Sequence, residues 1–262
     1  MQSIQTLERG LDVLLEIASS PEPLGVNEVS RRLDVNKASV ARFLATLARR
    51  RFVERDEQSG KYRVGPQSLT LVSRNTFQAE LVARSQRHME ELRDLTGETV
   101  GLYLREGLDR VCVHSVESNQ ELRRSLRVGD RKRLTLGSTG RVFLAFMPLE
   151  EARRIVDICG LTKVTPQTTI DPAQYFIELE EIRRRGAAMT VGQTIMRVSG
   201  LSVPVLDGNG SAIAVISVSG PSSRWTPTQM EAVLGRAIAC GAAVSADLGY
   251  RASDWSGSRE AA

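Results

Sequence analysis

The sequence is poor in the residues that most catalytic and metal sites require. Its 262 residues include three cysteines and two histidines. Three widely spaced cysteines form neither a complete disulfide framework nor a CxxC zinc site. Two histidines cannot build a histidine-rich metal site, and the short motifs of nucleophile elbows, P-loops and zinc proteases are missing. We therefore expect a protein that is not an enzyme and needs no cofactor.

Long apolar runs are also missing. No run approaches the roughly 18–20 residues needed to cross a bilayer. The first five residues, from Met1 to Gln5, lack the basic and apolar regions of a signal peptide. We expect a cytoplasmic protein without a membrane partner, and the length favours two domains.

Charge is distributed unevenly along the chain, although the formal net charge is only +4. Residues 1–30 carry one base and five acids, whereas residues 31–51 carry seven bases and one acid. A local positive field of this kind predicts contact with a polyanion. Charged runs are also common on solvated helix faces, so the pattern alone leaves both interpretations open.

The first 65 residues have the pattern of a winged helix-turn-helix. Apolar spacing of three and four predicts helices over residues 4–18, over 26–33 and from Lys37 to about Arg50. Asn36 is a suitable N-cap for the third helix. Two short strand-like segments around a turn-rich tip predict a β-hairpin wing. A small three-helix interaction module is the alternative.

The third predicted helix turns polar residues outward if Val40, Leu44 and Leu47 face the core. A helix fits the major groove of DNA, where arginine bonds guanine, and the wing can follow the backbone. We assign nine residues to this DNA-binding surface: Asn36, Lys37, Ser39, Arg42, Arg49, Arg50, Lys61, Tyr62 and Arg63. The competing partner for the basic helix is an acidic protein surface.

Residues 66–96 predict one long or broken linker helix. Its apolar positions include Val72, Leu81 and Met89, and they need a partner. A second subunit is the economical one, so we expect a homo-oligomer.

The rest of the chain predicts a mixed α+β sensor-like domain over residues 97–250, followed by a flexible tail over 251–262. The predicted strands cover residues 100–104, 111–116, 201–206 and 213–218. The predicted helices cover residues 139–147, 149–159, 172–186 and 227–248. The segment from Asp207 to Gly210 predicts a hairpin turn between two strands.

Two features of this second domain suggest a ligand site. The segment from Gly137 to Gly140 begins a helix, where free amides favour an anion, although its hydroxyls may simply cap the helix. Strand alternation places Ser217 and Ser219 on one face, where buried hydroxyls need partners. Arg141 has two possible partners, a ligand carboxylate or a neighbouring acid. A second basic cluster predicts a solvated face or subunit contact, and it comprises Arg123, Arg124, Arg127, Arg131, Lys132 and Arg133.

Several blocks together resemble the isocitrate-lyase-regulator (IclR) family of bacterial transcription factors. They are the recognition helix at 35–44, the wing at 60–65, and the segments 96–99, 134–145 and 217–221. The resemblance implies a winged helix over residues 1–65, a linker helix over 66–96 and a GAF-like effector domain. It also implies dimers or tetramers on operator DNA, switched by a small metabolite.

The resemblance places effector contacts at the helix start and at the strand carrying the two serines. We assign eight residues to the effector site: Leu126, Ser138, Thr139, Gly140, Thr190, Gly200, Ser217 and Ser219. A small organic acid with a carboxylate is the expected effector. Repression and activation remain alternatives.

The chain departs from the family pattern around this site. The family often has Ala-Leu-Gly-Lys where Ser138 to Arg141 stand, cysteine at Gly200 and glycine at Arg197. An acidic residue is common where Thr190 or Gln193 stands. These departures argue against assigning a relative's effector to this chain.

Overall fold

The computed structural model describes residues 4–71 and 74–250. Contacts within the chain divide it after Phe77 into two units. We call them the helix-turn-helix unit, which ends at Phe77, and the sheet unit, which begins at Gln78. Val72 and the tail from Arg251, for which the sequence made predictions, lie outside the described residues.

The helix-turn-helix unit has the predicted order of three helices and a β-hairpin. Its elements are α1 (Gln5–Ser19), α2 (Val26–Leu33), α3 (Lys37–Arg49), β1 (Val53–Arg55), β2 (Tyr62–Val64) and α4 (Pro66–Leu71). The turn into α3 contains Asp34 in a left-handed conformation with φ 51°, which Asp tolerates better than most residues. The Asn36 side chain accepts a hydrogen bond from the Ser39 amide at 2.8 Å, so the predicted N-cap is confirmed.

A compact apolar cluster holds this unit together. Val13, Val29, Val40 and Leu44 are fully buried and pack in one cluster. The hairpin pairs Val53 with Val64. Because α1, α2, α3 and the hairpin all contribute to the cluster, the orientation of α3 is fixed by packing.

Helix α1 has two apolar faces, and only one of them is buried. Val13 and Ile17 face the core. Ile4, Leu7, Leu11 and Leu15 are exposed by between 49% and 68%. Helix α1 therefore has a second apolar face that the described residues of its own unit leave exposed.

Tyr62 corrects one sequence prediction. We expected its side chain on the DNA-binding surface, but it is only 9% exposed and belongs to the apolar cluster. Its backbone also pairs with Leu24, whose amide donates to the Tyr62 carbonyl at 3.0 Å. Strand alternation explains the error, since an aromatic between two basic residues points to the opposite face.

The sheet unit is α+β, as predicted. Its strands are β3 (Thr99–Glu106), β4 (Asp109–Val116), β5 (Arg131–Arg133), β6 (Ala188–Val191), β7 (Val198–Leu206) and β8 (Ala212–Pro221). They form an antiparallel sheet in the order β5-β4-β3-β8-β7-β6. Its helices are α5 (Arg74–Thr96), α6 (Gly137–Ala145), α7 (Leu149–Cys159), α8 (Pro172–Arg185) and α9 (Pro227–Asp247). Strands β5 and β6 were not predicted because each is short and paired on one side.

Side chains of α5 correct the expectation that a second subunit covers the linker helix. Leu81, Met89 and Leu92 are at most 4% exposed within this single chain. The Cys240 thiol of α9 donates to the His88 carbonyl at 3.6 Å, and His88 Nε2 lies 2.8 Å from Asp247 Oδ2. These three apolar side chains are therefore covered within the single chain, whereas Leu95 of the same helix is 48% exposed.

We predict that Tyr62→Ala lowers the free energy of unfolding of the helix-turn-helix unit by about 3–5 kcal/mol, because it removes a buried ring. Tyr62→Phe keeps the ring and should cost less than about 1.5 kcal/mol. Denaturant unfolding of the two full-length variants measures both values. Equal stability of Tyr62→Ala and the unmodified chain would show that the ring is not part of the core.

Candidate nucleic-acid interface and ligand cavity

Helix α3 presents a row of cations to solvent. Lys37, Arg42, Arg49 and Arg50 are all exposed. None of them has a carboxylate within 4.0 Å among the residues described. Ser39 is half-buried and Asn36 uses its Oδ1 as the cap, so the four cations are the groups most available to DNA.

The wing residues are available to a lesser degree. Lys61 Nζ lies 3.5 Å from Glu28, and Arg63 Nη2 lies 3.3 Å from Glu54. The side chains of Lys61 and Arg63 are 42% and 68% exposed. Exposed ion pairs contribute at most about 1 kcal/mol, so a phosphate can replace these carboxylates.

The sheet unit contains a cavity between the sheet and the first turn of α6. The space open to the centre of a water-sized sphere is about 70 Å³, whereas one water needs about 10–15 Å³. Seven of the eight predicted effector residues line it: Leu126, Ser138, Thr139, Thr190, Gly200, Ser217 and Ser219. The cavity therefore has room for a small molecule.

Hydroxyl groups meet at one wall of the cavity. Ser202 Oγ lies 2.8 Å from Ser138 Oγ, 2.9 Å from Ser217 Oγ and 3.3 Å from Thr139 Oγ1. We call these four residues the hydroxyl cluster. The N-cap of α6 is Leu136, which makes no side-chain cap. Ser138 and Thr139 therefore do not cap the helix, and their hydroxyls connect α6 to β7 and β8.

Ser202 was missed by sequence reasoning. It is fully buried on β7 and pairs with Ser217 of β8. The strand pattern placed Ser217 correctly, but a partner on a neighbouring strand depends on register, which one strand's sequence does not reveal.

Two glycines allow the close approach of backbone and side chains at the cavity. Gly137 has φ +72°, and a Cβ there would lie 2.5 Å from Thr194 Oγ1. At Gly200 a Cβ would lie 2.9 Å from Ser138 Oγ. A larger residue at either position would displace a side chain at the cavity wall.

Gly140, the eighth predicted effector residue, does not line the cavity. A Cβ at this position would lie 2.0 Å from the Leu134 carbonyl oxygen and 2.7 Å from its carbon. Real Cβ atoms do not approach backbone so closely, so glycine is required here for packing. The assignment of Gly140 to the effector site is therefore corrected to a structural role.

Three cations line the cavity and were not assigned to it from the sequence. They are Arg110 on β4, Arg124, and Lys132 on β5. Burial lowers the pKa of Lys132, and the charges of Arg110 and Arg124 lower it further. The sequence predicts a solvated face or subunit contact for Arg124 and Lys132, and their position at the cavity corrects that prediction. The sequence offered one signal for this charged wall, which is the single arginine in the otherwise apolar strand segment 110–113.

Tyr103 completes this wall. The Arg110 guanidinium carbon lies 5.0 Å from the centroid of the Tyr103 ring, within cation–π range. Burial raises the pKa of Tyr103 to about 12. The phenol is therefore neutral at physiological pH and leaves the charge of Arg110 uncompensated.

Arg141 forms an ion pair with a neighbouring acid, Glu178. Its guanidinium lies 3.0 Å from Glu178 Oε2 and also donates to Gln193. The guanidinium carbon lies 5.0 Å from the centroid of the Tyr175 ring. These contacts resolve the alternative in favour of the neighbouring acid and give Arg141 a structural role.

In the part of the chain that the structure describes, no cluster of three histidine, cysteine or carboxylate side chains is arranged to hold a metal ion. No helix in residues 4–71 and 74–250 is both long and apolar enough to span a membrane.

Comparison with protein families gives two matches that cover most of the chain. The IclR helix-turn-helix domain matches residues 6–57. The C-terminal domain of the bacterial transcriptional regulator IclR matches residues 74–246.

Curated relatives have the same arrangement along the chain. The HTH-type transcriptional regulator BhcR of Paracoccus denitrificans is 31% identical over 255 residues, which are 95% of this chain and 91% of the relative. The HTH-type transcriptional repressor AllR of Escherichia coli K12 is 28% identical, over 85% of this chain and 82% of the relative.

Solved structures confirm the fold. The Thermotoga maritima IclR structure matches with a TM-score of 0.63 and 26% identity, over 95% of this chain and 100% of that chain. The Agobacterium tumefaciens repressor BlcR matches with a TM-score of 0.60 and 26% identity, over 96% of this chain and all of that chain.

We predict that Gly140→Ala destabilises the sheet unit by about 1–3 kcal/mol or more, because the added methyl overlaps the Leu134 carbonyl. Gly235→Ala in α9 is the matched control, since a Cβ there meets nothing within 4 Å. That variant should gain about 0.4–1 kcal/mol. Thermal unfolding of both variants measures the two changes in stability, which should have opposite signs. A Gly140→Ala variant as stable as the unmodified chain would contradict the packing assignment.

Proposed function

The chain belongs to the IclR family of bacterial transcriptional regulators, and we propose that it binds operator DNA as a homo-oligomer controlled by a small anionic metabolite. In this proposal residues 1–65 contact DNA, residues 66–96 form the linker and residues 97–250 hold the effector.

The observation that carries the DNA-binding part is the row of unpaired cations on α3. Lys37, Arg42 and Arg49 lie on a helix that the apolar cluster holds in place, with no acid near them in the described chain. Arginine in the major groove makes bidentate bonds to guanine, and lysine near a helix start neutralises phosphate. Lys61 and Arg63 would add phosphate contacts from the wing.

The exposed face of α1 supports an oligomer. Ile4, Leu7, Leu11 and Leu15 form an apolar stripe that its own unit leaves uncovered. A stripe of this kind is a typical subunit interface. A dimer with two-fold symmetry would present two recognition helices to two half-sites, and a tetramer would pair two such dimers.

The cavity supports control by an anion. The first turn of α6 has no side-chain cap, so its amides and the helix dipole favour negative charge. The hydroxyl cluster supplies further donors at the same wall. A carboxylate group matches both features.

A buried ion pair gives the cavity a path toward the linker. Arg224, which follows β8, donates to the Glu98 carboxylate at 2.5 and 3.0 Å. Glu98 is 2% exposed and lies two residues after Thr96, the last residue of α5. A Cβ on Gly220 would lie 2.4 Å from Glu98 Cδ. We propose that ligand contacts with Ser217 and Ser219 on β8 reach α5 through this pair.

Selection of duplexes from a random pool by the full-length protein tests the DNA-binding part. We expect selected sequences to contain an inverted repeat, as a symmetric dimer requires. Arg42→Ala should lose about 1–3 kcal/mol of discrimination at one position of each half-site. Lys61→Ala should weaken binding to all sequences alike and reduce the salt slope by about one unit.

The comparison between the two variants decides the outcome. An Arg42→Ala protein that selects the same sequences with unchanged affinity would refute the recognition-helix assignment. Steep salt dependence without any preferred sequence would favour a basic surface for acidic protein partners instead.

A further inference from the structure

We propose that the effector is a short dicarboxylate whose two negative charges, together with that of Asp130, balance the three cations of the cavity. We call Arg110, Arg124 and Lys132 the cationic triad. The inference rests on the proposed function, because it names the class of ligand for the same cavity.

The charge balance of the cavity carries the inference. Among the residues that line it, the triad supplies three positive charges and Asp130 supplies one negative charge. The start of α6 adds partial positive charge at the same space. A neutral ligand would leave this charge uncompensated, and a monocarboxylate would balance only part of it.

Three exposed arginines close to the triad in the sequence are each paired with a carboxylate. Arg123 contacts Glu117 at 3.1 Å, Arg133 contacts Asp109 at 3.1 Å, and Arg131 contacts Glu106. These three arginines are exposed. In the described chain no carboxylate lies within 4.0 Å of the triad's nitrogens. Within the described chain, the triad therefore lacks the paired carboxylates that these three neighbouring arginines have.

Arg110 is the member that most requires an anion. It is 9% exposed, and its Nε has no hydrogen-bond partner. Its Nη2 lies 3.7 Å from the position that a Cβ on Gly137 would occupy. The guanidinium therefore reaches the first turn of α6, so one carboxylate can contact both. A buried charge without a counter-charge is costly, and a ligand can remove that cost.

Lys132 and Arg124 fit the second carboxylate. Both are half-buried at the cavity, and burial with two neighbouring guanidinium groups lowers the pKa of Lys132. The space of about 70 Å³ suits a short chain between the two carboxylates.

Isothermal titration calorimetry of the full-length protein at constant ionic strength tests the proposal. The probes are malonate, succinate, malate and glutarate, each compared with the monocarboxylate of the same length: propionate, butyrate, 3-hydroxybutyrate and valerate. We expect at least one dicarboxylate to bind tenfold or more tightly than its monocarboxylate. Lys132→Gln and Arg124→Gln should each reduce that preference about tenfold. Arg131→Gln is the matched control, because it removes an exposed cation at the first position of β5. This variant should leave the preference for the dicarboxylate unchanged.

The outcomes separate this inference from the proposed function. Equal affinity for the two classes of acid, or a preference that survives in both triad variants, would overturn the dicarboxylate inference while leaving an anion effector in place. Binding of neither class would overturn the proposed effector function and the inference with it. Neither half-buried triad variant removes core packing, and unchanged thermal unfolding without acid confirms that each one folds.

Discussion

The close approach of α6 to the sheet is the constraint on which the cavity depends. Gly140 lets the helix lie against the Leu134 carbonyl, and Gly137 and Gly200 leave room for Thr194 and Ser138. The hydroxyl cluster then connects the first turn of α6 to β7 and β8. Because these contacts hold the free amides of α6 opposite the strands that carry the cations, the packing of one helix turn determines where an anion can bind.

This cavity is built at the expense of stability in the absence of ligand. A buried guanidinium at Arg110 without a carboxylate, and a lysine beside two arginines, are unfavourable arrangements, whereas the exposed Arg131 and Arg133 nearby are both paired. Natural folds keep such arrangements mainly at functional sites. Under the proposed function, a ligand that binds only the folded state would recover this free energy as added stability.

Local sequence patterns predicted most of the elements, including the Asn36 cap and the turn at 207–210. The predictions that were wrong concern which part of the fold packs against a helix or strand. The side chain of Tyr62 faces the core rather than DNA. Helix α1 buries Val13 and Ile17, while its other apolar face stays exposed. Apolar side chains of α5 are covered by residues of the same chain. The site shows the same division. Ser217 and Ser219 followed from alternation within one strand, whereas Ser202 and the triad depend on pairing between strands and on a loop that returns to β4.

The affinity of the full-length protein for its selected operator, measured with and without a saturating dicarboxylate, tests most directly whether the cavity controls DNA binding. Coupling between two sites is typically worth about 1–3 kcal/mol. We predict a change in Kd of about fivefold or more when the cavity is occupied, and the same acid concentration should have little effect on Lys132→Gln. An operator Kd that stays the same while calorimetry shows the acid bound would contradict the coupling of the two units.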